Sequence, residues 1–228
     1  MDSASDSLSL RDFVDLTQVL NTDQFDDPAA LGYLGKALVA WLDRFLGRLG
    51  VGDAPLIEGQ VAAGAYVEGR VYIAKGAKIE PTAYIQGPCY IGPDAEVRHG
   101  AYIRGQVYVG RGAVVGHATE VKGSVFFAEA KAGHFAYVGD SILGRDVNLG
   151  AGTKLANLPL TRREIRVFHP TTGKVIGTGL SKFGAIVGDH AQTGCNAVLS
   201  PGTLLMPRSS VHPCVHFRGT LGEGEVRS

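Results

Sequence analysis

The sequence predicts a mainly β protein, a parallel β-helix of hexapeptide repeats with a short N-terminal helical region and a β-hairpin excursion. Three observations support this fold. Apolar residues recur at every sixth position, small residues follow four positions after them, and the chain holds 32 glycines in 228 residues, about twice the average usage. A period of six with one branched and one small inward residue is typical of a parallel β-helix.

The apolar column runs without interruption through the middle of the chain. Its members are Val61, Val67, Ile73, Ile79, Ile85, Ile91, Val97, Ile103, Val109, Val115, Val121 and Phe127. Cys89 belongs to the small-residue column and is expected in the core. The frame is lost after Phe127, resumes from Leu143 to Leu155, and returns again at Val187. We therefore expect a β-helix domain over residues 56–228.

Two segments lie outside the repeat. In the predicted N-terminal region, residues 1–55, apolar residues at helical spacing predict helices over Leu10 to Leu20 and Pro28 to Leu49. Asp26, Asp27 and Pro28 would begin the second helix, and Trp41 is expected to pack. Residues 158–186 form an inserted excursion that alternates around a Pro-Thr-Thr-Gly turn and predicts a hairpin arm, which could cross to a neighbouring subunit.

The composition argues against several classes of protein. With 22 Lys and Arg against 22 Asp and Glu, no long-range field attracts nucleic acid, so we expect no nucleic-acid partner. We see no apolar run of membrane-spanning length, and Met1 to Leu10 is acidic and Ser-rich, so we expect a cytoplasmic protein with no membrane partner. Cys89, Cys195 and Cys214 are scattered without a CxxC, which argues against a disulfide framework or a zinc site.

Stacked coils lie about 4.8 Å apart, so residues one coil of three hexapeptides apart become neighbours on one face. Arg104 and Lys122 are such a pair, and both directly follow an inward residue. Two cations in register repel each other unless negative charge relieves them. Glu120 or solvent could do so, or the pair could bind a phosphate.

His134 lies where the repeat first fails, and its side chain is suited to proton transfer near neutral pH. A purely structural role is the alternative. Asn148 and Asn157 follow on the resumed coil.

The run Lys131-Ala-Gly-His-Phe-Ala-Tyr-Val-Gly-Asp140, followed by Val147-Asn-Leu-Gly-Ala-Gly-Thr153, resembles a known family. It is similar to the C-terminal acetyltransferase domain of the bacterial bifunctional N-acetylglucosamine-1-phosphate uridyltransferase/glucosamine-1-phosphate acetyltransferase. The similarity extends over residues 100–157 and again over 182–198. It implies a left-handed β-helix, a homotrimer with sites between prisms, and acetyl-CoA or another acyl-CoA as co-substrate.

The resemblance also implies roles for individual residues. His134 would be the general base that removes a proton from the attacking sugar amine. The sugar phosphate would be bound by Arg104, Lys122, Tyr137, Asn148 and Lys182. The acyl-donor pocket would be bordered by Ala151, Asn157 and Cys195, the last of which stands where the family has serine. Pro213, which has no backbone N–H, stands where the family has alanine.

The expected function is acyl transfer, most simply acetyl-CoA-dependent N-acetylation of an amino-sugar phosphate such as glucosamine 1-phosphate, or of a nucleotide sugar. No metal is expected. Uridyl transfer is not expected, because the chain ahead of Val61 holds no glycine-rich nucleotide loop.

Two alternatives remain open. The chain could bind a sugar phosphate or nucleotide sugar without catalysis. It could also be a carbonic-anhydrase-like metal enzyme, since one full coil separates His99 from His117 and the two therefore stack. His134 falls one position short of the next full coil and past the break, which argues against a metal site.

Overall fold

The computed structural model of the protein describes residues 7–18, 25 and 29–228. The chain winds through three parallel sheets of nine, nine and eight strands, and each strand pairs with its counterpart one coil away. A two-stranded antiparallel hairpin forms a separate small sheet. The predicted fold, a mainly β parallel β-helix with a hairpin excursion, is therefore confirmed.

The strands are, in chain order, Leu56–Ile57 (β1), Gln60–Val61 (β2), Tyr66–Glu68 (β3), Val71–Ile73 (β4), Lys78–Ile79 (β5), Tyr84–Gln86 (β6), Cys89–Ile91 (β7), Glu96–Val97 (β8), Tyr102–Arg104 (β9), Val107–Val109 (β10), Val114–His117 (β11), Glu120–Lys122 (β12), Val125–Phe126 (β13), Lys131–His134 (β14), Tyr137–Gly139 (β15), Ile142–Leu143 (β16), Asn148–Leu149 (β17), Lys154–Leu155 (β18), Arg166–Phe168 (β19), Val175–Gly177 (β20), Ala185–Val187 (β21), Gln192–Thr193 (β22), Val198–Leu199 (β23), Thr203–Leu205 (β24), Ser210–Val211 (β25), His216–Phe217 (β26), Thr220–Leu221 (β27) and Val226–Arg227 (β28). The first sheet begins with β1 and β4, the second with β2 and β5, and the third with β3 and β6.

The inside of the prism is filled by the two predicted columns, Cys89 included, up to the point where the six-residue frame is lost. Phe126 lies inside the prism, whereas Phe127, which the six-residue frame placed there, faces outward from the first sheet and packs under the N-terminal region together with Val125. The frame slips because the inward position moves by five residues from Val121 to Phe126. The same short step recurs between Val138 and Leu143.

Two serines accommodate these short steps at the corner between the third and first sheets. The Ser124 hydroxyl donates to the Lys122 carbonyl at 2.8 Å and accepts the Ser141 N–H at 3.0 Å. One coil later the Ser141 hydroxyl donates to the Gly139 carbonyl and accepts the Ala185 N–H. Both serines are fully buried, and among the described residues they provide the only acceptors for the N–H groups of Ser141 and Ala185. The excursion leaves the prism at the same corner.

The N-terminal region is less helical than predicted. Instead of one helix from Leu10, the structure has 3₁₀ turns at Leu10–Asp12 and Leu16–Gln18, and residues 19–24 lie outside the described residues. Asp15 separates the two turns because its carboxylate accepts the Thr17 N–H at 3.0 Å, a local bond that competes with helix formation.

The second predicted helix is shorter than expected. A 3₁₀ turn at Ala30–Tyr33 precedes the α-helix Gly35–Arg48 (α1), and the predicted start at residues 26–28 lies outside the described residues. Leu34 is extended and Gly35 has φ of 55°, so the two helical segments cannot join.

The N-terminal region covers the outer surface of the first sheet and leaves the second and third sheets as the open faces of this chain. Trp41 is buried there and stacks on Phe45 with ring centroids 5.3 Å apart, which confirms its packing role. Tyr90 and Tyr108 of the first sheet belong to the same cluster. A functional site open to solvent is therefore expected on the second or third sheet.

The hairpin of β19 and β20 lies against its own prism rather than extending away from it. Ile165 and Val167 are buried, and a Cβ at Gly202 would lie 2.6 Å from Ile165 Cγ2 and 3.2 Å from Val167 Cγ1. Thr220 donates its hydroxyl to the Phe168 carbonyl at 2.7 Å. One side of the arm is thus fixed to the chain that carries it.

Among the described residues, no helix has the length and apolar character needed to cross a membrane. The same residues contain no group of three or more His, Cys, Asp or Glu side chains placed to hold a metal ion.

Candidate functional site

One continuous column of residues lines the corner between the second and third sheets. We call it the corner column, and its members, one per coil, are His99, His117, His134, Ala151, Cys195 and Pro213. Backbone hydrogen bonds join each coil to the next: Gly152 donates to the His134 carbonyl at 2.9 Å and Asn196 to the Ala151 carbonyl at 2.8 Å. The predicted base and two predicted donor-pocket residues therefore stack directly on one another.

His134 is in register with His117, not displaced from it as the sequence indicated. The reason is the short five-residue step between Val121 and Phe126, because it makes this coil one residue shorter than the regular repeat and so pairs His134 with His117 on adjacent strands. The short coil thus keeps His134 aligned with His117 on the corner column.

The three histidines differ in what their rings contact. His99 approaches Glu80 through Nδ1 at 3.2 Å, and His117 Nδ1 donates to the His99 carbonyl at 2.9 Å. Their rings stack with centroids 4.1 Å apart. The His134 ring is exposed and has no hydrogen-bond partner within the described part of the chain. Its nitrogens are therefore accessible for proton transfer.

Two backbone donors follow His134 on the corner column, one on each of the next two coils. The N–H groups of Ala151 and Cys195 have no acceptor among residues 7–18, 25 and 29–228. Such N–H groups at exposed turns can stabilise a developing oxyanion. Pro213 offers no N–H on the next coil, so this row of donors ends at Cys195.

A second column follows the opposite edge of the third sheet. We call it the edge column, and its members are Arg104, Lys122, Gly139, Ala156, Ser200 and Arg218. Arg104 and Lys122 are stacked as predicted, but each has a carboxylate partner. Arg104 pairs with Glu120 at 2.6 Å and Lys122 with Asp140 at 3.0 Å.

The two ion pairs have different surroundings. The Arg104 and Glu120 side chains are both substantially exposed, and the bond to Glu120 raises the pKa of Arg104. Asp140 is only 6% exposed and also accepts the Asn157 amide N–H. Asp140 therefore holds both Lys122 and Asn157, while Arg104 can turn toward a ligand at little cost.

Tyr137 of the third sheet is hydrogen-bonded to Asn157, the partner of Asp140. Its hydroxyl donates to Asn157 Oδ1 at 3.3 Å, and burial together with the Glu120 and Asp140 carboxylates raises its pKa, so the hydroxyl stays protonated at neutral pH. Gly139 makes the contact possible, since a Cβ there would lie 2.8 Å from both Tyr137 Oη and Asn157 Cγ.

Of the remaining predicted residues, Lys182 and Asn157 lie at the third sheet, whereas Asn148 does not. The Phe183 N–H donates to the Asn157 carbonyl at 2.9 Å, so the returning chain brings the exposed Lys182 beside Asn157. Asn157 thus joins the predicted sugar-phosphate cluster at the third sheet rather than Ala151 and Cys195. Asn148 lies on β17 in the second sheet, paired with Lys131, and this chain alone does not bring it to the third sheet.

Two polar residues of the cluster were missed by the sequence reasoning. Asp140 follows Lys122 at the same interval that paired Lys122 with Arg104, so that spacing was a usable signal. Lys154 is paired in register with Tyr137, and its Nζ donates to the Gly152 carbonyl at 2.6 Å. Its position depended on the short coil, which the sequence frame did not reveal.

Residues 85–220 match the family model described as the GMPPB C-terminal domain. The chain is 38% identical over 96 residues to a bifunctional sugar-1-phosphate nucleotidylyltransferase/acetyltransferase of Sulfurisphaera tokodaii, a match that covers 42% of this chain and 23% of that protein. It is 36% identical over 146 residues to the bifunctional protein GlmU of Methanococcus aeolicus, covering 64% of this chain and 35% of the relative.

Among solved structures, the Francisella novicida UDP-N-acetylglucosamine acyltransferase is similar at 12% identity with a TM-score of 0.37, over 78% of this chain and 60% of that one. The chain spans about a quarter to a third of the two bifunctional relatives. The resemblance to the acetyltransferase domain of the bifunctional enzymes is confirmed by the family match and these two relatives.

Proposed function

The chain belongs to the GMPPB C-terminal domain family, and from that membership and the site geometry we propose that it is an acetyl-CoA-dependent N-acyltransferase for an amino-sugar phosphate or a nucleotide amino sugar. One observation carries the proposal: the corner column aligns a free histidine, His134, with the unpaired N–H groups of Ala151 and Cys195. The cationic cluster lies across the third sheet from it, on the edge column.

Each group has a distinct part in the proposed reaction. The sugar amine attacks the thioester carbonyl, His134 takes the proton that the nitrogen loses, and the N–H groups of Ala151 and Cys195 donate to the oxyanion. Collapse of the tetrahedral intermediate forms the amide, breaks the C–S bond and releases the coenzyme A thiolate, which regains a proton from His134.

The substrate phosphate is assigned to the third sheet. Arg104 and Lys182 are exposed and provide charge for it, while Lys122 and Tyr137 are held in place through Asp140 and Asn157. Asn148 would contribute from the second sheet of a neighbouring chain in a homotrimer. We propose that the protein acts as this trimer in the cytoplasm and that no step of the reaction requires a metal.

The reaction is tested by incubating the protein with acetyl-CoA and a panel of amino-sugar phosphates and nucleotide amino sugars, glucosamine 1-phosphate included. Because Cys195 and Cys214 are exposed thiols, released coenzyme A should be quantified by chromatography and the product by mass spectrometry. We expect acetylation of at least one acceptor. If no acceptor releases coenzyme A while a sugar phosphate still binds, the protein is a non-catalytic binding protein instead.

Replacing Arg104 by Gln should weaken sugar-phosphate binding by about tenfold, because one charge-assisted bond to the phosphate is lost. Arg111→Gln is the matched control, since Arg111 also forms an exposed ion pair, with Asp94 at 3.2 Å, but lies away from the third sheet. Isothermal titration with glucosamine 1-phosphate measures both. Equal affinities in the two variants would remove Arg104 from the phosphate site.

A further inference from the structure

A groove of about 1000 Å³ lies between the excursion and the coils at the end of the edge column. It is at the upper end of the size range of ligand pockets. Its walls combine apolar and cationic side chains, among them Leu158, Leu160, Arg163, Arg166, Pro201 and Arg218. It lies across the third sheet from the corner column and holds none of the residues predicted for catalysis or acyl-donor binding.

Among the described residues, several exposed arginines form no ion pair, Arg44, Arg48 and Arg162 included, and the three arginines of this groove belong to that group. Arg70, Arg98, Arg104 and Arg111 each lie within 3.2 Å of a carboxylate. In the described part of the chain, no carboxylate pairs with Arg163, Arg166 or Arg218. The one carboxylate in the lining, Glu164, accepts the Gly179 N–H at 2.8 Å. The lining therefore carries a net positive charge, with three arginines against one carboxylate.

The groove is held by buried contacts at the base of the arm. Arg163 and Arg166 flank Ile165, which is buried against Gly202, and whose N–H donates to the Leu180 carbonyl at 2.8 Å. Arg218 projects from the prism side, in register with Ser200. Arginine side chains therefore line both walls of the groove. A ligand with two linked phosphates could contact arginines on both walls at once.

The apolar wall restricts the ligand class further. Leu158 is 41% exposed and Leu160 is fully exposed, so both side chains present apolar surface at the groove. A free inorganic anion would leave this surface uncovered, whereas a planar base can cover it and can also stack on a guanidinium. We propose that this groove binds a nucleoside diphosphate, with the phosphates between Arg163, Arg166 and Arg218 and the base against Leu158 and Leu160.

Isothermal titration at a fixed ionic strength, with ADP, GDP, UDP, pyrophosphate and coenzyme A as separate ligands, tests the site. Arg166→Gln and Arg218→Gln should each weaken nucleoside diphosphate binding at least tenfold, and Arg162→Gln, just outside the lining, should change it by less than twofold. Leu158→Ser should weaken the nucleotide but not pyrophosphate.

Coenzyme A itself contains a nucleoside diphosphate, so it could occupy the same groove as a free nucleotide. The separate titrations distinguish these two ligands. Binding of free nucleotides that is lost in the two arginine variants identifies a nucleotide ligand other than coenzyme A, either a free nucleotide or the nucleotide end of a nucleotide amino sugar. Binding of coenzyme A alone, with the same losses, identifies its nucleotide end as the occupant. The site is refuted if no ligand saturates at millimolar concentration, or if Arg162→Gln loses as much affinity as Arg218→Gln. Nucleotide binding is measured without acetyl transfer, so this result is independent of the proposed reaction.

Discussion

His134→Ala should lower the rate of acetyl transfer by about 10² to 10⁴, the usual contribution of a positioned general base, while sugar-phosphate affinity changes little. The reason is the free ring: His134 is exposed on the corner column and no described residue bonds to its nitrogens. Single-turnover kinetics with acetyl-CoA and the responding acceptor separate the rate of the chemical step from binding.

His117→Ala is the matched control for this loss. His117 lies one coil away on the same corner column, but its Nδ1 donates to the His99 carbonyl, so its removal should leave acetyl transfer within a few-fold of the unmodified protein. The oligomeric state of both variants should be compared by sedimentation. If His134→Ala keeps a tenth or more of the activity, another group takes the proton and the proposed role of His134 is wrong.

The sequence predicted the coils well because each coil repeats one local rule. An inward branched residue, an inward small residue and a turn recur at fixed spacing, and Cys89 is buried in the core as expected. The N-terminal region has no such repetition. There, the side chain of Asp15 and the left-handed Gly35 interrupted helices that apolar spacing alone had predicted.

The candidate site was predictable where it depended on sequence interval and unpredictable where it depended on coil length. Arg104 and Lys122 stack as their spacing indicates. The alignment of His134 with His117 required a coil one residue shorter than the regular repeat, and the two buried serines that allow it are ordinary in the sequence. The carboxylate partner of Lys122 was likewise visible only after the coils were stacked.

Phe126→Ala should destabilise the protein by about 3–5 kcal/mol, the usual cost of truncating a buried phenylalanine. Phe126 is fully buried inside the prism and lies between Val109 and Leu143 of the adjoining coils, so the truncation leaves a cavity that rigid neighbouring strands cannot fill. Urea unfolding followed by circular dichroism, at matched protein concentration, gives the difference in unfolding free energy.

Phe135→Ala provides the comparison, because Phe135 is 56% exposed and its ring meets only the rings of His117, edge-on at 5.2 Å, and His134, at 6.3 Å, among the aromatic contacts of the described residues. Its loss should cost less than about 0.5 kcal/mol. A small effect of Phe126→Ala would mean that its side chain is not inside the prism. The five-residue step that brings His134 into register with His117 would then be wrong as well, since both positions follow from the same short coil.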